Sequence, residues 1–240
     1  MTADLVALCI DANDPDKLAH FWGRLLDRQQ TDDPEGGITL LPDDDTAFAI
    51  RFRPTDARKT GPNPMHFDLT SQTPEAQQQT VATALELGGR HIDVGQLPAE
   101  EHVVLADPEG NEFCVIEAGN TFLAGCGFIG ALSCDGSRDV GYFWSNALGW
   151  PLVWDQEEET AIQSPRGGTK ITWGGPPDVP KTGKNRWHLD IAPSGGDQQA
   201  EVDRLVALGA RRVDIGQGEV EWVVMADPDG NEFCVTPPAG

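Results

Sequence analysis

The chain has 240 residues, with 17 Lys+Arg against 39 Asp+Glu and a net charge of −22. That length suits one or two domains with proper cores, and so negative a field excludes nucleic acid and anionic membrane surfaces as partners. The five cysteines, Cys9, Cys114, Cys126, Cys134 and Cys234, are odd in number and read as free thiols of a reducing, cytoplasmic compartment.

The opening "MTADLVALCIDAND" has neither a basic n-region nor a long apolar run, so no cleaved signal is expected, and no stretch is apolar enough to span a bilayer. Within it "LVALCID" (5–11) is a short apolar strand. A helix follows in "NDPDKLAHFWGRLL": Asn13 or Asp14 can cap it, Pro15 suits its first turn, and Leu18, Phe21, Trp22, Leu25 and Leu26 form one apolar stripe. Short strands come next, including "ITLL" and "TAFAIRF". The same order then recurs. "MHFDLT" is a strand, and "TPEAQQQTVATALELGG" is a helix with Thr73 as cap, Pro74 at its start and Gly88 at its end. "RHIDV", "HVVLA" and "EFCVIE" are strands. Between the last two, "DPEGN" has turn composition and a structural role, so Asp107 and its counterpart Asp227 are kept out of any site.

The second half repeats the first. "EHVVLADPEGNEFCV" (101–115) and "EWVVMADPDGNEFCV" (221–235) agree at twelve of fifteen positions. "KTGPNPMHFDL" (59–69) answers "KTGKNRWHLDI" (181–191), and "HFWGRLL" (20–26) answers "YFWSNAL" (142–148), always at an offset near 120. A duplicated unit of that length is a domain, not a solenoid repeat. The expected division is domain 1 over 1–118, a linker over 119–127 in the small-residue stretch "AGNTFLAGCG", and domain 2 over 128–240. The fold class is α+β: four strand–helix–strands modules, two per domain, forming open curved mixed sheets with helices outside.

These modules, each domain closed by "DPEGNEF" or "DPDGNEF", resemble the vicinal oxygen chelate superfamily. "KTGKNRWHLD", "LGARRVDIG" and "ADPDGNEFCV" are similar to its glyoxalase-like, bleomycin-resistance-like branch, common in high-GC soil bacteria. The resemblance implies paired modules curled into a cup, with metal ligands from four strand positions in the family's metal enzymes. On this chain the third position falls on His66 and His188. The fourth falls on Cys114 and Cys234, where those enzymes carry glutamate, and the first on Leu5 and Ile129. The second lies in "TAFAIRF" and "TKITW", which hold no carboxylate or imidazole. The expectation is therefore no cofactor; were a divalent metal present, His66 and His188 would be its ligands.

Strand alternation puts His66 with Asp68, and Glu112 with Cys114, on common faces. With the family's strand order those strands are neighbours. His66, Asp68, Glu112 and Cys114 then cluster, and His188, Asp190, Glu232 and Cys234 repeat the cluster. Three readings compete: a metal site, a Cys–His nucleophile pair, and a hydrogen-bonded cluster that supports the strands, which is the plainest. Trp22 is the one tryptophan of the first half, whereas the second has six; Trp173 stands where Arg51 does, and Trp187 where Met65 does. A ligand pocket lined by Trp154, Trp173 and Trp187, near His188 and Asp190, is expected. Arg51, sharing a strand face with Arg53, could meet an anionic group. Two functions follow. The preferred one is a metal-free binder of a small, possibly aromatic molecule, of the resistance or carrier type. The alternative is a metal-dependent lyase, isomerase or extradiol-type dioxygenase. Internal duplication allows a monomer or a homodimer.

Overall fold

The computed structural model describes residues 2–44, 46–97, 99–174, 181 and 183–238. The first module runs β1 (Ala3–Ala12), α1 (Pro15–Leu25), β2 (Gln30–Asp32), β3 (Ile38–Leu40) and β4 (Ala49–Pro54). The second runs β5 (Met65–Leu69), α2 (Pro74–Glu86), β6 (Arg90–His91), β7 (Val103–Ala106) and β8 (Glu112–Val115). The third holds β9 (Ile129–Asp135), α3 (Arg138–Leu148), β10 (Leu152–Gln156), β11 (Glu159–Gln163) and β12 (Lys170–Gly174). The fourth holds β13 (Trp187–Pro193), α4 (Gln198–Ala207), β14 (Arg211–Arg212), β15 (Val223–Ala226) and β16 (Glu232–Val235).

Local signals act as expected. Asp14 caps α1 by accepting from the Lys17 amide, with Pro15 next to it. Thr73 caps α2 through the Ala76 amide, and Gly88 after its end has φ +99°. The "RHIDV" strand is shorter than its sequence suggests, only Arg90–His91.

The modules make two open eight-stranded sheets, in the orders β14-β15-β16-β13-β1-β4-β3-β2 and β10-β11-β12-β9-β5-β8-β7-β6. Thus the first module pairs with the fourth through antiparallel β1 and β13, and the second with the third through antiparallel β5 and β9. Neither half of the chain contains a complete sheet. Each "EFCV" strand lies parallel to its "HFD" or "HLD" strand, with Asp68 beside Cys114 and Asp190 beside Cys234.

Each sheet thus joins the two halves of the chain, and the core joins the two sheets. One continuous apolar cluster draws on all four modules. Trp22 of α1, fully buried, packs against Phe67, Phe113 and Trp187, with ring centroids 5.3, 5.0 and 6.5 Å away. A buried indole N–H needs an acceptor. Trp22 Nε1 donates to Asp107 Oδ2 at 3.1 Å, and Trp144 Nε1 to Asp227 Oδ2 at 3.3 Å. Asp107 also accepts from the amides of Glu109 and Asn111 and from Asn111 Nδ2, while Gly110 at φ +89° closes the turn. The repeated "DP-G-N" motif is thus a buried carboxylate that locks each hairpin to a helix of the preceding module. Burial pushes both carboxyls up, Asp227 to about 6.

Candidate functional site

Alternation sends half of each sheet's side chains into this core and the other half to the opposite, helix-free face. The polar residues meet on that open face, in both sheets, around the central antiparallel strand pair. At the centre of the β1/β13 sheet, Cys9 lies opposite His188 and beside Arg51 of β4. At the centre of the β5/β9 sheet, Ser133 lies opposite His66 and beside Thr172 of β12. The two nodes are the same position of the fold built from different side chains.

In the β1/β13 sheet the node is filled. Asp190 Oδ2 accepts from Cys9 Sγ and from Arg51 Nη1, both at 2.9 Å, while Oδ1 lies 3.5 Å from His188 Nε2. Arg51 Nε reaches to 3.5 Å from Asp33, which also accepts from Thr39. Arg53 pairs with Glu35 and lies 5.4 Å over the Trp222 ring. Asp190 and His188 are 3% and 8% exposed. Burial outweighs Asp190 and lowers the His188 pKa, so this imidazole is neutral at pH 7. Arg51, expected to meet an anionic ligand group, meets Asp190 and Asp33 of its own chain.

In the β5/β9 sheet the same node is open. Thr172 Oγ1 donates to Ser133 Oγ at 3.3 Å, Ser133 to Asp68 Oδ2 at 2.6 Å, and His66 Nε2 lies 3.5 Å from Asp68 Oδ1. Two short hydroxyls replace a thiol and a guanidinium. Beside them is a cavity of about 230 Å³ whose lining includes His66, Ser133, Asp135, Trp154, Glu159 and Thr172. Burial works against a charged His66, but hydrogen bonding to Asp68 and Cys114 outweighs it and lifts the imidazole to about 10. Burial pushes the Cys114 thiol up.

The cavity's lining also takes in Phe122, from the segment joining the two halves that reads from sequence as a spacer. Leu123 is buried against Val104, Cys114, Ile116 and Ala131. The Phe122 ring meets Trp154 edge to face at 5.7 Å, and its carbonyl accepts from Lys170.

The three tryptophans expected around one pocket fall in three settings. Trp154 is half-buried on the open face of the β5/β9 sheet and lines the cavity. Trp173 belongs to the helix face: it is 3% exposed and stacked on Trp144 with centroids 6.5 Å apart, though it also contributes to the lining. Its counterpart by strand pairing is Phe52, since Thr172 matches Arg51; the expected match of Trp173 with Arg51 was one residue out of register. Trp187 is wholly buried beside Trp22 and Phe67. His188 and Asp190 lie in the other sheet, so the grouping of Trp154 and Trp173 with them is corrected: these tryptophans accompany His66. Glu112 and Glu232 are turned to other work. Glu112 holds Lys59 and the Asn63 amide; Glu232 holds Lys181 and the Asn185 amide. Leu5 and Ile129, expected at a ligand position, pair with Ile191 and Leu69 and pack on the core; the side chains opposite the histidines are Cys9 and Ser133. Cys234 is buried beside Asp190, which, after burial itself, helps raise its pKa.

The model of the glyoxalase-like domain matches residues 7–116 and again 130–236. The chain belongs to the glyoxalase-like family. Among solved structures, glyoxalase I from Zea mays shares the fold at TM-score 0.69 and 14% identity, over 99% of this chain and 92% of that one. A putative dioxygenase from Bacillus subtilis shares it at TM-score 0.56 and 14% identity, over 100% and 86%. A search of curated proteins finds no match. No helix among the described residues is long and apolar enough to cross a membrane.

A glyoxalase-like fold raises the question of a metal. Two trios bring one donor atom each within 4.8 Å of one another: Cys9, His188 and Asp190, and His66, Asp68 and Cys114. The first does not suit a cation, because the Arg51 guanidinium bonds Asp190 Oδ2 and sets a fixed positive charge beside the trio. The second has a donor set suited to zinc and no Arg or Lys bonded to it among the described residues.

Proposed function

We propose that this glyoxalase-like protein is a metal-free binder of a small organic molecule, held on the open face of the β5/β9 sheet. The observation that carries this reading is the cavity of about 230 Å³ beside Ser133 and Thr172, flanked by the aromatic pair Trp154 and Phe122. Large rings bury area at little entropic cost, and few polar groups suffice to orient a ligand. Metal-free binding is favoured by the state of the trio there. The Asp68 carboxylate is already engaged, accepting from Ser133 at 2.6 Å and lying 3.5 Å from His66 Nε2, so a metal would have to displace contacts made within the chain.

A second reading rests on the same trio. Were His66, Asp68 and Cys114 to hold a divalent metal, it would supply Lewis-acid polarisation of a ligand oxygen, as lyases, isomerases or dioxygenases need. Elemental analysis and native mass spectrometry of protein purified without chelator separate the two. The binding reading expects no stoichiometric metal, and saturable quenching of tryptophan fluorescence by an organic ligand that is lost in Trp154→Leu. Metal near one equivalent per chain, absent from His66→Ala, would overturn it. The compartment proposed with it is cytoplasmic, and the assembly a monomer or a homodimer.

A further inference from the structure

The charge and aromatic character of the cavity point to a narrower ligand class than the binding reading on which this inference rests. Its lining contains two carboxylates, Asp135 and Glu159, and no Lys or Arg. Among the described residues neither carboxylate has an ion-pair partner within reach. The one cationic side chain of the lining, His66, already has its charge matched by Asp68. At the equivalent place in the other sheet the carboxylates are matched from within the chain: Arg51 pairs with Asp190 and Asp33, and Arg53 with Glu35. Thr172 of β12, paired with Ser133, stands where Arg51 of β4, paired with Cys9, stands in that sheet.

The aromatic side of the cavity adds an independent preference. Trp154 and Phe122, both in the lining, stand edge to face. An aromatic face attracts cations, tryptophan most strongly. The Phe122 ring already has a cation, the Lys170 ammonium 4.5 Å from its centroid, which leaves Trp154 to offer an aromatic face to a ligand's charge. The net charge of −22 concentrates cations near the surface generally. The cavity, at about 230 Å³, is below the roughly 300–1,000 Å³ of sites for drug-sized ligands. It suits a fragment-sized body.

We infer that the open face of the β5/β9 sheet binds an organic cation, an ammonium or guanidinium group on a small apolar or aromatic body, with Asp135 and Glu159 matching the charge and Trp154 with Phe122 covering the body. A neutral or anionic molecule of the same shape leaves the two carboxylates unmatched and gains nothing from the negative face of Trp154.

The test compares three probes of similar size by tryptophan fluorescence and calorimetry: benzyltrimethylammonium, benzyl alcohol and benzoate. The cation is expected to bind saturably, with benzoate and benzyl alcohol at least about tenfold weaker. Asp135→Asn and Glu159→Gln, both at exposed positions that leave the core untouched, should each weaken the cation several-fold and reduce its salt dependence. Arg53→Gln, in the other sheet, should leave it unchanged. If benzyl alcohol or benzoate binds as tightly as the cation, in a manner lost in Trp154→Leu, the cationic class is overturned while the binding reading stands. If all three probes fail to bind, both are overturned. If the cation binds but is indifferent to both acidic substitutions, the assignment of Asp135 and Glu159 fails.

Discussion

Ser133 donates to Asp68 at 2.6 Å from the same node of the fold at which Cys9 donates to Asp190 at 2.9 Å. Each lies opposite a histidine, and each has one neighbour on the next strand, Thr172 beside Ser133 and Arg51 beside Cys9. The size of that neighbour separates a filled face from an open one. Thr172→Arg is therefore expected to carry a guanidinium to Asp68 and close the cavity. Binding of benzyltrimethylammonium should fall at least about tenfold, with the denaturation midpoint little changed. Undiminished binding would place the ligand elsewhere.

The tie between Trp22 and Asp107 makes a stability prediction. Asp107→Ala leaves buried amides and an indole N–H without their acceptor, costing on the order of 3 kcal/mol. Trp22→Ala empties a fully buried site and should cost roughly 3–5 kcal/mol. Because the residues touch, the double variant should lose less than the sum of the two, as read by urea unfolding in a double-mutant cycle.

The two histidines should respond to pH with opposite signs. His66 holds its proton more tightly folded than unfolded, with a pKa lifted to about 10. Its contribution to stability is fully present below the unfolded value near 6.5 and is lost as pH rises through about 10. His188 is lowered by burial, so its contribution is present above the unfolded value and lost as pH falls below it. The stability difference between wild type and His66→Gln should thus shrink from neutral to alkaline pH. At pH 7.5, nitrogen-detected NMR should find His66 protonated on both ring nitrogens and His188 on one. A neutral His66 at that pH would remove the pairing with Asp68.

Thiol chemistry should be ordered by exposure. Cys9, Cys114, Cys134 and Cys234 are buried, and burial raises the pKa of each. Cys126 alone among the five is partly exposed. Mass spectrometry after brief alkylation of the folded protein at neutral pH should find Cys126 labelled first and the other four slowly. Rapid selective labelling of Cys114 would revive the nucleophile reading.

Much of this architecture is legible in the residues, because short-range rules govern it. The caps at Asp14 and Thr73, the turn at Asp107–Gly110 and the helix stripe around Trp22 all follow from local chemistry. Module pairing does not: the contacts of β1 with β13 and β5 with β9 join distant segments through side chains whose pattern fits several partners equally. The site shows both regimes. His66, Asp68 and Cys114 were placed together by alternation and strand adjacency. Trp173 matches Phe52 and not Arg51, a difference of one residue that in a strand exchanges inside for outside, so it reaches the cavity's lining from the helix face. Asp135 could have been found two residues beyond Ser133 on the same strand face. Phe122 had no such signal, because an irregular segment has no period to read.

The crossed pairing of modules also bears on how one molecule comes to hold two unlike sites. A half-length chain would present β1 and β5 as bare central strands and could satisfy them only with a second copy. In such a symmetric pair every substitution is made twice, and a change that opens one node opens both. Joining the halves in one chain breaks that obligation. Arg51 and Cys9 can remain as a structural clamp in one sheet while Thr172 and Ser133 vary in the other. The covalent link thereby gives selection two independently adjustable faces where a symmetric pair would have one.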